Sequence, residues 1–232
     1  MRRASLAVAV AAVAAAAAAP APVAAAPRID QMVVLPNGKA KLDSVRSRPA
    51  RVRAGSRRCR VPKATPLAAL VRSRVARLSV RDFSRACDPS SLFVQAIGRH
   101  RNRGQRGWVY KVGNRQGTTA ASDPSGPFGS GRIRRRTRVT WFYCVFREGG
   151  CQRTLGLRAR HEGGGLVSVR VRAFDDEGGG MPAEGARVSA GAVTATTDAS
   201  GNATLTLPEG RHRLRARKAG HIRSFTERVR VR

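Results

Sequence analysis

Apolar residues recur at every second position through most of this chain, and that alternation predicts strands. Trp108, Tyr110 and Val112 alternate with Val109 and Lys111 as a half-buried strand requires. The same period predicts strands over residues 92–97, 107–112, 138–146 and 154–160. Upstream, Met32 to Leu35 and Ala50 to Ala54, separated by the turn signal Pro36-Asn37-Gly38, read as edge strands. One segment breaks the period. Thr65 suits a helix cap, Pro66 the first helical position, and Leu67, Leu70, Val71, Val75 and Leu78 share one face, so a helix is expected with Arg72 and Arg77 on its outer side. From residue 166 on, Val167, Val169 and Val171 alternate with Arg170 and Arg172, and strands are expected over 186–190, 192–197, 202–207, 211–218 and 225–231. Turns at 198–201 and 208–210 space these strands at short intervals, the pattern of an antiparallel sandwich. The expected fold class is mainly β: α+β in the first part, all-β in the second.

Punctuation sets the boundaries. Arg2-Arg3, the apolar run Leu6 to Ala19 and the small residues Ala24 to Ala26 read as a secretory signal over 1–26, with a mature chain beginning near Pro27. The run falls short of the roughly 20 residues that span a bilayer. No second apolar stretch follows, so no membrane span is expected after signal removal; a retained signal acting as an anchor is the alternative. Glu162-Gly163-Gly164-Gly165 reads as a flexible linker (162–165) between a module over 27–161 and another over 166–232. Gly113 to Arg136, long and rich in Gly, Ser and Pro, is the expected binding edge.

The four cysteines of an exported chain suggest disulfides. Cys144 and Cys151 flank Arg147-Glu148-Gly149-Gly150, a turn that sets them opposite each other, leaving Cys59 for Cys87. There is no Cys-x-x-Cys pair and no histidine at ligand spacing from a cysteine, so no metal is expected. His100, His161, His212 and His221 sit in no nucleophile-and-base pattern, and no Gly-x-Ser-x-Gly elbow occurs, so no catalytic residues are expected. Asp175-Asp176-Glu177, ahead of three glycines, reads as a solvated loop.

Charge changes the picture most. Lys and Arg number 45 against 14 Asp and Glu, a net +31, and nearly all of the positive charge is arginine. One reading is attraction to a polyanion: nucleic acid, anionic lipid or a phosphate-bearing wall polymer. The other is codon usage in a GC-rich genome, which favours Arg, Ala and Gly together and leaves an ordinary solvated surface. The candidate anion-binding residues are Arg99, Arg101 and Arg103 in one run and Arg132, Arg134, Arg135, Arg136 and Arg138 in another; they make a single face only if the fold brings them together. Gly126 to Arg132 offers backbone amides that can cradle an anion. Trp108, Tyr110, Phe128, Trp141 and Tyr143 are candidates for stacking on bases or sugars, although alternation also assigns most of these rings to the core.

Three motifs, Thr65-Pro66-Leu67-Ala68-Ala69-Leu70, Gly107-Trp108-Val109-Tyr110-Lys111-Val112-Gly113 and Val139-Thr140-Trp141-Phe142-Tyr143-Cys144, resemble the domain of unknown function related to the C-terminal β-domain of transcobalamin. The likeness covers about residues 32–157 and implies a β-grasp-like module with one helix, of a kind common in exported Gram-positive and actinobacterial proteins. In transcobalamin such a domain closes over cobalamin against a helical partner domain. One helix cannot build that partner, so no cofactor, cobalamin included, is expected. Pro182 to Val188, Thr197 to Gly201 and Pro208-Glu209-Gly210 resemble carboxypeptidase-regulatory-like or Ig-like modules. That likeness implies a small antiparallel Ig-like or prealbumin-like β-sandwich serving as accessory or spacer. The combined expectation is a secreted or cell-wall-associated, non-enzymatic binding or adhesion protein of unknown envelope or extracellular ligand. The alternative is a protein that binds an anionic polymer, wall polymer or nucleic acid, through its arginine-rich surface.

Overall fold

The computed structural model describes residues 25–73, 77–147 and 149–232; the predicted signal up to residue 24, Val75 and Glu148 lie outside them. Among the described residues the protein is mainly β, with one α-helix. Its first part contains β1 (Arg28–Val34), β2 (Ala40–Arg46), β3 (Ala50–Ala54), β4 (Arg57–Val61), α1 (Pro66–Arg72), β5 (Leu78–Asp82), β6 (Leu92–Ile97), β7 (His100–Arg101), β8 (Arg106–Val112), β9 (Arg115–Gln116) and β10 (Arg138–Val145). These form two five-stranded sheets, ordered β2-β1-β10-β8-β9 and β4-β3-β5-β6-β7. Between them lies a core that includes Ile29, Val33, Leu67, Leu70, Leu92, Trp108, Tyr110 and Trp141.

Two expectations fail here. Neither segment expected at an edge is one: β1 runs parallel to β10 on one side and antiparallel to β2 on the other, with Ile29, Met32, Val33 and Val34 all buried, and β3 over Ala50 to Ala54 lies between β4 and β5. The helix is also shorter than its periodicity suggests. Thr65 Oγ1 accepts from the Ala68 amide at 3.2 Å to cap its start, and Ser73 N donates to Ala69 O at 2.9 Å to close it. Leu78 opens β5 instead of continuing the helical face. Leu67, Ala68, Ala69 and Leu70 are all buried, so α1 is a two-turn plug in the core rather than an amphipathic helix on a sheet.

The second part contains β11 (Thr154–Gly163), β12 (Leu166–Phe174), β13 (Gly180–Pro182), β14 (Arg187–Ala190), β15 (Val193–Thr196), β16 (Asn202–Thr206), β17 (Gly210–Arg217) and β18 (Glu227–Val231). One sheet is ordered β11-β12-β13 with β16 also on β12; the other is ordered β15-β14-β17-β18. Val167, Val169, Val171, Val188, Leu205, Leu214 and Val231 fill the space between them. The glycine triplet is a correction: Gly163, Gly164 and Gly165, all at positive φ, turn β11 back on β12, and Leu155 and Leu157 of β11 belong to this second core. The run expected to be a linker is therefore a hairpin turn, and the two units meet near Cys151 to Thr154. Glycine in the left-handed region suits tight turns as well as flexible tethers, which is why composition misleads here.

Where the units meet, the central strands β1 and β10 of the β2-β1-β10-β8-β9 sheet are covered on both faces. One face joins the first core; the other presents Met32, Val34, Phe142 and Cys144 to Ile222, with Phe225 packed beside them. Lys111 shares this second face, with its side chain 0 % exposed. Its Nζ donates to Asp175 O at 2.6 Å and Phe174 O at 3.2 Å and forms an ion pair with Asp176 Oδ1 at 3.1 Å. Burial pushes the Lys111 pKa down, and the Asp176 carboxylate opposes that shift. Asp176 Oδ2 accepts from Cys151 N at 2.9 Å, Gln116 N donates to Asp176 O at 2.8 Å, and Asp175 pairs with Arg153 at 3.8 Å. The acidic run expected to be a solvated loop is instead the latch between the units. Lys111→Ala strands a largely buried carboxylate and is expected to cost about 3 kcal/mol, read by urea denaturation, together with faster hydrogen exchange at the Gln116 and Cys151 amides.

Candidate polyanion-binding surface

The aromatic candidates resolve into core and lid. Trp141 sits opposite Tyr110 and Tyr143 opposite Trp108 across β10 and β8, with ring centroids 5.3 and 5.6 Å apart. Trp108, Tyr110 and Trp141 are buried. Trp108 Nε1 donates to His100 O at 2.7 Å, and Tyr143 OH donates to Arg101 O at 2.8 Å. Tyr110 OH donates to Thr119 O at 2.8 Å, and burial pushes its pKa up to about 12. Phe128 is half-buried beneath the Arg115 guanidinium, 4.7 Å from its ring centroid. These rings offer no open stacking platform. Exposed aromatic surface lies elsewhere, at the edge-to-face pair Phe83 and Phe93, which the alternation did not single out.

The Gly113 to Arg136 segment is tied down. Ala121 O accepts from Leu67 N at 2.8 Å, Ser122 Oγ donates to Pro89 O at 2.6 Å, and Ile133 N donates to Ala64 O at 3.2 Å. Ala121 and Ile133 join the core. The amides of Gly126 and Gly129 are used within the loop, donating to Asp123 O and Gly126 O, and Arg132 Nε bonds Pro124 O. The expected anion cradle and binding edge are thus a lid over the first core.

The two predicted basic runs do not meet. Arg99, Arg101 and Arg103 lie at the β6–β7 hairpin, where Tyr143 near the end of β10 bonds Arg101. Arg138 opens β10, five residues away, a span of roughly 17 Å along an extended strand. Each run finds other company. Arg132 shares a groove with Arg46, Arg48, Arg60 and Lys63, while Arg134, Arg135 and Arg136 stay exposed at the turn before β10. Arg138 pairs with Glu227 at 3.2 Å and lines a groove with Arg213, Arg215 and Arg228 from the second unit, across from Asp30 and Asp43.

A larger basic feature comes from strand register. In β17, Leu214 and Ala216 point into the core while Arg211, Arg213, Arg215 and Arg217 point out. Arg228 and Arg230 of β18 stand opposite Arg213 and Arg211, and Arg187 of β14 stands opposite Arg217. The outer face of this sheet is therefore a grid of arginines, spaced by about 6.8 Å along a strand and about 5 Å across. The same pairing recurs at Arg51 with Arg60 and Arg53 with Arg58 on β3–β4, at Arg158 with Arg170 on β11–β12, and at Arg28 with Arg46 on β1–β2. Among the described residues none of these paired arginines makes an ion pair. Like charges directly opposite each other destabilise a sheet, so the arrangement costs stability unless an anion lies over it. The signal was legible as Arg-x-Arg-x-Arg-x-Arg over 211–217 and Arg-x-Arg-x-Arg over 228–232, since a period of two puts every arginine on one face.

Asp82 lies near Cys59 and Cys87, but those sulfurs are bonded to each other, as are Cys144 and Cys151. The Asp82 carboxylate is engaged by Ser84, Ser91 and the Cys87 amide. His212 and His221 bond backbone carbonyls, of Pro208 at 2.7 Å and Ala219 at 2.9 Å. No helix among the described residues is long and apolar enough to cross a membrane. The chain matches no protein-family model, no curated protein and no solved structure.

Hydrogen bonds from Ser91 hold the Asp82 pKa at about 2, below its usual 3.8, with Ser84 and the Cys87 amide adding to the effect. A depressed carboxylate contributes stability that is complete above its unfolded value and disappears as pH falls through its folded value. The loop carrying Cys87 should therefore keep its Cys87 amide protected above about pH 4 and lose that protection as pH falls to about 2, read by hydrogen exchange at the 84–91 amides.

Proposed function

We propose that the chain is an exported, non-enzymatic binding protein of the cell envelope whose ligand is an anionic polymer, a phosphate-bearing wall polymer in particular. The observation that carries this reading is the cross-strand pairing of arginine with arginine. With 45 basic and 14 acidic residues, most of the positive charge has no acid to pair with inside the chain. Concentrating it in register on flat sheet faces raises local repulsion that a spread-out surface avoids. A polyanion laid across such a face replaces repulsion with charge-assisted hydrogen bonds and releases its own counterions. Codon usage supplies abundant arginine, and strand alternation then sets arginine opposite arginine; the repulsion that results is what a bound polyanion relieves.

Export is supported by the leader pattern and by the two disulfides, which persist outside the reducing cytoplasm. An external address favours a wall polymer over nucleic acid. The latch at Lys111 and the apolar seam around Ile222 support a frame that holds the arginine faces in fixed relation. The β-grasp-like and Ig-like likenesses bear on fold alone and name no ligand.

The test is retention of the purified protein on polyphosphate, wall polymer and double-stranded DNA as salt is raised. Wild type should bind with log K falling linearly in log salt. The Arg211→Gln, Arg213→Gln, Arg228→Gln, Arg230→Gln variant should flatten that slope by roughly 3 to 4, one unit or slightly less per lost phosphate contact. A slope unchanged in this variant, or binding absent at low salt, contradicts the reading. Tighter binding to DNA than to wall polymer at physiological salt transfers the proposal to nucleic acid.

A further inference from the structure

The loop joining β17 to β18 is fixed on both sides of one arginine. Ile222 N donates to Arg153 O at 2.9 Å, its carbonyl accepts from Leu155 N at 2.8 Å, and its side chain is buried in the seam between the units. Ser224 N donates to Ala216 O at 3.1 Å, and its Oγ accepts from Ala216 N at 2.8 Å. Arg223 is held between these two anchors. It is only 8 % exposed, and its Nε and Nη2 have no hydrogen-bond partner among the described residues.

Its neighbours make the placement costlier. Ser224 is bonded to Ala216, whose chain neighbours are Arg215 and Arg217, and Arg215 Nε donates to Thr226 Oγ1 at 3.2 Å, which ties that guanidinium to the same loop. Burial, and then the charges of Arg217 and Arg215, push the Arg223 pKa down. An arginine that only covers apolar surface with its stem would leave its head in water. Here two donor nitrogens are withdrawn from solvent beside like charge, a combination that natural folds keep when something else supplies the missing acceptors.

We propose that Arg223, with Arg215 and Arg217 beside it, is a seat for one phosphate group. The proposal rests on the polymer reading above and deepens it: the open arginine grid supplies attraction, and Arg223 supplies a fixed point that seats a single phosphate. The planar guanidinium fork matches two phosphate oxygens at once, and the flanking arginines address the others. The loop anchors at Ile222 and Ser224 are in place without ligand, so the groups covering the Arg223 Nε and Nη2 are what must move aside to admit a phosphate.

Thermal unfolding of the full chain, titrated with sodium phosphate against sodium chloride at equal ionic strength, tests this. Phosphate should raise the wild-type Tm saturably, beyond the effect of chloride. Arg223→Met should unfold at higher temperature than wild type in chloride, because an unpaired buried charge is gone, and should bind phosphate at least about tenfold more weakly. Arg217→Gln, at an exposed position that is expected to fold normally, should also weaken the phosphate response. Competition separates the two sources: inorganic phosphate that displaces polyphosphate points to a free anion, polyphosphate that resists it points to a polymer, and either supports the seat. Equal phosphate stabilisation of wild type and Arg223→Met, or none beyond chloride, overturns it while leaving salt-dependent polymer retention intact. Loss of polymer retention alongside an Arg223-dependent phosphate response would sink the polymer reading alone.

Discussion

A strand that buries every second residue must expose the residues between, and on the β14-β17-β18 face of this protein those residues are mostly arginines. The alternation that packs Leu214 and Ala216 into the second core places Arg211, Arg213, Arg215 and Arg217 together on the outside. Register then sets Arg230, Arg228 and Arg187 opposite them. Core and charged face are thus two consequences of one period, and the core cannot keep its register without the face keeping its repulsion. The hydrophobic term wins because each buried valine or leucine contributes about 1.5–3 kcal/mol, against a few tenths to about 1 kcal/mol lost at each like-charged pair.

The frame that carries these faces depends on a sheet whose central strands, β1 and β10, are covered on both sides. β10 reads Val139, Thr140, Trp141, Phe142, Tyr143, Cys144, and its two faces serve two different cores. A doubly covered sheet loses the clean alternation of a half-exposed one, and Lys111 shows how the sequence accommodates that. A lysine at an alternating position reads as solvent-facing; here it is buried because Phe174, Asp175 and Asp176 bring the acceptors to it from the other unit. The pair adds less net stability than its short distances suggest, since both charges give up water, but it specifies how the units dock.

What was legible in the sequence was local. The strands of the second unit, the capped start of α1 at Thr65-Pro66 and the Cys144–Cys151 pairing across a tight turn all follow from near neighbours. What was not legible depends on contacts distant in the chain. The parallel pairing of β1 with β10 turns an apparent edge into an inner strand, and Leu78 leaves the helical pattern because β6 offers it a strand partner. The Asp175-Asp176-Glu177 run looked solvated because its partner Lys111 lies more than sixty residues away. The glycine triplet looked like a tether because tethers and tight turns share a composition. The candidate site divided the same way: clustered arginines such as Arg99 to Arg103 draw the eye, whereas the arginines that the fold assembles are interleaved with valine and leucine and separated along the chain.

If the ligand is an anionic polymer, the stability withheld by facing arginines is released when it binds. Calorimetric unfolding of the purified protein at low salt, with and without excess wall polymer or polyphosphate, tests it most directly. Binding to the folded faces should raise the transition temperature, a stabilisation of about 2.7 kcal/mol when the polymer is present at a hundred times its dissociation constant. A transition that stays where it was, or moves down, would contradict the account.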